Sequence, residues 1–160
     1  MAERLVGGQD PEEAIDPFAP PDVQETARRA FDRFATWWAS CGYRLHMSEE
    51  QIVDREAGIG GTLDLVLEDG DGALVVADIK TGKDVHSDVV VQLAGYARLL
   101  RTVRGVTVAR GMVIHAPADG ELQVVGVSAE ALEAGERVFE ALIQIHRAKS
   151  SVKLAKGVAA

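Results

Sequence analysis

Apolar residues recur along the chain with two different periods, and each change of period marks an element. From Asp22 onward, Val23, Ala27, Ala30, Phe31, Phe34 and Trp38 return at helical spacing, while Arg28, Arg29, Asp32 and Arg33 fall mostly on the other face. Asp22 followed by Glu25 makes a box-like N-terminal signal, so a helix is expected from Asp22 to about Ser40-Cys41-Gly42. Glu50 to Asp54 reads as a short edge strand. Two apolar segments follow, Ile59 to Glu68 and Ala73 to Lys80, joined by Asp69-Gly70-Asp71-Gly72, which is hairpin punctuation. A second helix is expected from about Asp88 to Val103. Strands follow at Val108 to His115 and Glu121 to Val127, then a last helix from Ser128 to about His146. Residues 1–21, with Gly7-Gly8 and four prolines, carry no period and read as a flexible lead-in. Residues 149–160 read as a basic tail. Between them, 22–148 predicts one α/β domain in which helices flank a mixed central sheet.

Composition changes this picture little. At 160 residues, with 47% hydrophobic and 26% charged positions, the chain can bury a core without staples. Its single cysteine, Cys41, reads as an inert thiol in a reducing cytoplasm and rules out a four-cysteine iron–sulfur cluster. No apolar run is long enough to cross a bilayer, so no membrane partner is expected. The net charge of −8 argues against a non-specific nucleic-acid binder. However, the acid sits early: residues 1–60 hold twelve Asp and Glu against six Arg, whereas Lys80, Lys83, Arg98, Arg101, Arg104 and Arg110 gather around the second helix. A local positive groove there could track a phosphate backbone.

Chemistry is concentrated on the hairpin. Asp64 lies inside Leu63-Asp64-Leu65-Val66-Leu67, and Asp78 inside Val75-Val76-Ala77-Asp78-Ile79. A carboxylate in such a strand is costly unless paired or bound to a cation. A turn centred on Asp71 puts Asp64 opposite Asp78, on one face with Lys80. Two opposed carboxylates call for a divalent ion, and hard oxygen ligands suit Mg²⁺ or Mn²⁺. The plainer reading is a Lys80–Asp78 salt bridge. Gly60-Gly61 permits a close backbone approach beside Asp64. Gln92 and Tyr96, four apart, share a face of the second helix.

Gly61-Thr62-Leu63-Asp64, Asp78-Ile79-Lys80-Thr81-Gly82-Lys83 and Gln92-Leu93-Ala94-Gly95-Tyr96 together resemble the three motifs of the PD-(D/E)XK nuclease superfamily, in its RecB-like exonuclease branch. The resemblance implies that Asp64, Asp78 and the Ile79 carbonyl hold one or two Mg²⁺ or Mn²⁺ ions, with Glu49 or Glu50 assisting. It implies that Lys80 acts on the attacking water and the phosphate charge, and that Gln92 and Tyr96 support the site and contact the DNA. Lys83, Arg98 and Arg101 would contact DNA. Many RecB-like members carry a metal-binding His on the first helix; none stands here, so Gln24 or Glu25 substitutes or the place is empty. A helicase or recombination protein is the implied partner, in phage or bacterial repair. Rival readings on the same core are a restriction-type or junction-resolving endonuclease and a catalytically silent DNA-binding subunit. His46, His86, His115 and His146 are scattered and read as surface or core residues. Trp37 and Trp38 read as core and surface aromatics.

Overall fold

The glycine–aspartate link folds as a tight turn in the computed structural model, which describes residues 2–8, 16, 18–117 and 119–151. Asp69 organises the turn. Its carboxylate accepts hydrogen bonds from the N–H groups of Asp71 (3.0 Å) and Ala73 (2.9 Å), and Gly72 takes a φ of 81°, which favours glycine. The Ala73 bond above all, then the Arg110 guanidinium, hold the Asp69 carboxyl below its usual range. Strands β2 (Ile59–Glu68) and β3 (Leu74–Lys80) leave the turn antiparallel, with Leu65 opposite Ala77 and Glu68 opposite Leu74. That is the register a turn centred on Asp71 predicts.

β1 (Arg44–Asp54) pairs antiparallel with β2, β4 (Arg110–His115) parallel with β3, and β5 (Gln123–Val127) antiparallel with β4. The strand order is therefore β1-β2-β3-β4-β5, a mixed sheet of α/β class. The parallel step needs a crossover. It is supplied by α3 (Asp88–Leu99) and a wide π turn, Leu100–Arg104, closed by left-handed Gly105. One apolar layer, including Ile52, Leu63, Val66, Val76, Leu93 and Val113, lies between the sheet and α3 with α4 (Ala129–Ser151). The other, with Phe34, Leu65, Leu67, Val75 and Ile114, lies beneath α2 (Pro21–Ser40). Two glycines let α3 and α4 touch: a Cβ on Gly95 would stand 2.8 Å from the Phe139 ring, and one on Gly135 2.9 Å from the Val90 carbonyl oxygen.

Several boundaries differ from expectation. α2 begins at Pro21, so Asp22 sits in the first turn rather than at the cap, where it still favours the positive end of the helix. β1 starts at Arg44, six residues earlier than its pattern suggests, because an irregularity between Leu45 and Met47 breaks the alternation. The lead-in contains a short helix, α1 (Ala2–Val6), whose Leu5 and Val6 pack against the layer under α2. α4 continues past His146 to Ser151. Residues 9–15 of the lead-in and 152–160 of the tail lie outside the described residues.

Candidate active site

Alternation along β2 fails at Asp64. Leu63 and Val66 both enter the layer under α3, although three residues apart, while Leu65 and Leu67 enter the layer under α2. On β1 the opposite position is Glu49, between the pairs Ser48–Leu65 and Glu50–Leu63. Glu49 adopts φ 49°, the left-handed region, and among the described residues no other non-glycine does so. The two strands bend together there. As a result Asp64 looks toward α2 with Leu65, and the β2–β3 ladder ends one pair short of it. Asp64 Oδ2 accepts a hydrogen bond from the Ile79 N–H at 2.8 Å. The carboxylate forms part of the wall of a cavity of about 600 Å³ between α2 and the strand ends, with Thr26, Phe31, Ile79 and Thr81.

Asp78 lies on the other side of β3, in alternation with Val76, and is 1% exposed. Lys80 Nζ donates to Asp78 Oδ1 at 3.0 Å and to Gln92 Oε1 at 3.1 Å, and Gln92 Nε2 donates to the Tyr96 hydroxyl at 3.4 Å. A continuous polar chain thus runs from the end of β3 onto α3. Tyr96 packs so closely on β2 that a Cβ at Gly61 would stand 2.9 Å from its ring, which is the close approach the Gly60-Gly61 pair predicts. The expectation of one shared face is corrected. Asp78 and Lys80 share the α3 side, whereas the bend at Glu49 turns Asp64 to the α2 side, and the backbone of Ile79 lies between the two carboxylates.

The remaining residues fall as follows. Glu49 is exposed, and Glu50 pairs with Arg104 on the π turn. Arg98 lies 3.8 Å from both Asp54 and Glu140, and Arg101 pairs with Glu136, so these two guanidiniums are matched by acids of the same chain. Lys83 is exposed in the loop after Lys80. Gln24 donates to the Ala19 carbonyl, and Glu25 is exposed; neither lines the wall that holds Asp64, to which α2 contributes Thr26 as its polar side chain. His115 is in the core beside Lys80 in the β3–β4 register, and its Nε2 stands 2.8 Å from the Gly82 carbonyl, which fixes the loop after the motif. Nothing in its sequence context distinguished this histidine from the other three.

The donor chemistry fits a divalent cation. Asp78 Oδ2 is buried and makes no directed hydrogen bond, although the Lys80 ammonium stands 2.8 Å away. The Ile79 N–H points toward β2. The carbonyl of the same residue points the same way, beyond the end of the ladder. Two carboxylates and a carbonyl are hard oxygen donors. Among the described residues no third acidic, His or Cys side chain joins them in a cluster.

A family model matches residues 2–156, and it describes the PD-(D/E)XK nuclease superfamily. The chain belongs to that superfamily. The PD-(D/E)XK assignment makes nuclease the coarse functional class, one that works in general with divalent metal ions. A crystal structure of a candidate exonuclease from Eubacterium rectale is similar in fold: TM-score 0.56 at 12% identity, covering 98% of this chain and 74% of that one. A second structure, of a protein called SSO0001, reaches a TM-score of only 0.42 at 14% identity over 79% of this chain and 61% of that one. No protein of curated function matches the sequence. No helix among the described residues is long and apolar enough to cross a membrane.

Proposed function

We propose that this PD-(D/E)XK chain hydrolyses phosphodiester bonds in DNA as an exonuclease, with Mg²⁺ or Mn²⁺ bound by Asp64, Asp78 and the Ile79 carbonyl. The observation that carries the reading is the chain of contacts from Asp78 through Lys80 and Gln92 to Tyr96. A structural salt bridge needs only Asp78 and Lys80. Here Gln92 fixes the ammonium from a second element, and Tyr96 in turn fixes Gln92. That is how a charge is preorganised for a transition state.

When bound, the cation lowers the pKa of coordinated water and offsets the charge that builds on the phosphate. The protein's own groups do the rest. Lys80 Nζ keeps a third proton for a phosphate or water oxygen after serving Asp78 and Gln92. Gln92 and Tyr96 keep that ammonium from swinging into solvent. Lys83, exposed in the next loop, pairs with no acid among the described residues, whereas Arg98 and Arg101 serve the scaffold first. The RecB-like motifs favour a cytoplasmic setting in bacterial or phage recombination and repair, with a helicase or recombination protein as partner. The name of the Eubacterium rectale protein supports exonucleolytic action.

The test is a digest of end-labelled single- and double-stranded DNA and of circular DNA, with Mg²⁺, with Mn²⁺ and with chelator. Release of mononucleotides or short fragments from linear DNA, abolished by chelator and absent on circles, is the expected result. Cleavage of circles would convert the reading to an endonuclease. The absence of metal-dependent cleavage on every substrate would overturn it.

A further inference from the structure

The cavity under α2 is larger than hydrolysis requires. The reacting groups need room for a phosphate and a water, yet about 600 Å³ opens beside Asp64. Its walls are chiefly apolar, from Ala27, Ala30 and Phe31 of α2 and Ile79 of β3, with the hydroxyls of Thr26 and Thr81 added. Such a lining suits a flat group with apolar faces and a few hydrogen-bonding edges, and it does not suit a charged sugar–phosphate backbone. A DNA strand carries one such group at a fixed reach from each phosphate. We infer that the cavity receives the unpaired base of the terminal nucleotide, stacked on Phe31 with its edges toward Thr26 and Thr81, while the scissile phosphate lies at Asp64.

This rests on the nuclease reading and deepens it to a substrate class, single-stranded or frayed ends. A paired base cannot enter without leaving its partner, which costs unpairing energy. The alanines at 27 and 30 leave the room, since helix positions three apart share a face. Arg29 reaches Thr26 Oγ1 at 3.5 Å, is exposed, and pairs with no acid among the described residues.

The test compares single-stranded oligonucleotides whose terminal residue carries a base or is abasic, on the wild type, Ala30→Leu and Phe31→Leu, with thermal midpoints confirming that each variant folds. Loss of one stacked base predicts about a tenfold lower kcat/KM for the wild type on the abasic end. Ala30→Leu should lose about as much on the base-bearing end and little on the abasic one, so that the two effects do not multiply. Equal cleavage of both ends by the wild type, or an equal loss on both by the variants, overturns the proposal. A second reading needs no turnover: fluorescence of a terminal 2-aminopurine on binding in Ca²⁺. Quenching by the wild type that is lost in Phe31→Leu and Ala30→Leu supports the base site even if cleavage, and with it the nuclease reading, fails. Unquenched or variant-independent fluorescence overturns it.

Discussion

Asp78 is 1% exposed and Lys80 35% exposed, so the carboxylate depends on its ammonium far more than the reverse. Replacing Lys80 by Ala therefore tests two roles at once. As a preorganised charge, Lys80 is worth about 10² or more in rate when removed. As a partner, its loss leaves a buried carboxylate unmatched, at about 3–5 kcal/mol. The expected outcome for Lys80→Ala is lost cleavage together with a lowered thermal midpoint in chelator, most of which Mg²⁺ restores because the cation takes over the match. A midpoint drop indifferent to Mg²⁺, in a protein whose wild type cuts nothing, would make the pair a structural salt bridge. That Asp64 and Asp78 would be partnered was legible from charge alone, since both stand in runs of apolar neighbours that no carboxylate occupies without cause, and each has a hydrogen-bond partner in the fold. Where Asp64 points was not legible. Its direction depends on left-handed backbone at Glu49, a residue type with no special preference for that region, in the adjacent strand.

Elements reveal themselves in the sequence where local chemistry is strong, and the central hairpin is the clearest case. Asp69 and Gly72 supply the two features its turn needs, and its register followed from them. Because hydrogen bonds from Ala73, then the Arg110 guanidinium, lower the folded pKa of Asp69, its contribution is present above the unfolded value of about 3.9 and is lost as pH falls toward the folded value. Asp69→Asn should flatten the acid limb of stability below about pH 4, measured by urea midpoints at stepped pH; an unchanged limb would refute the linkage. The α3–α4 contact was not legible, since a glycine inside a helix signals only lost propensity until its neighbour is known. Alanine at either glycine gains about 1 kcal/mol of helix propensity. At Gly135 the new Cβ meets the Val90 carbonyl oxygen at 2.9 Å, which is backbone and cannot step aside, whereas at Gly95 it meets the Phe139 ring. Gly135→Ala should therefore be destabilising by about 1–3 kcal/mol. Gly95→Ala should cost less and be rescued by Phe139→Leu. Denaturant unfolding of the three variants checks the order.

At the scale of the whole molecule, the charge pattern in the sequence pointed to a positive groove near the second helix, and folding spends most of that charge internally. Arg98 stands near Asp54 and Glu140, Arg101 pairs with Glu136, Arg104 with Glu50 and Arg110 with Asp69. Linear order shows which charges are near in the chain; it cannot show that an acid from another element folds against each. With a net charge of −8, little of the surface can attract DNA at long range. On the proposed DNA reading, binding would then rest on the cation and on a few basic groups, of which Lys83 and Arg29 are exposed. About two phosphate contacts on a single strand give a slope of log K against log salt of roughly −1.4, while a groove using six would give roughly −4. Fluorescence anisotropy of a labelled single strand, in Ca²⁺ across a salt series, separates these values. A shallow slope that becomes shallower in Lys83→Ala is the expected result. A steep slope, or one reduced by Arg98→Ala and Arg101→Ala instead, would show that those ion pairs open to receive the substrate and that the groove forms only when DNA arrives.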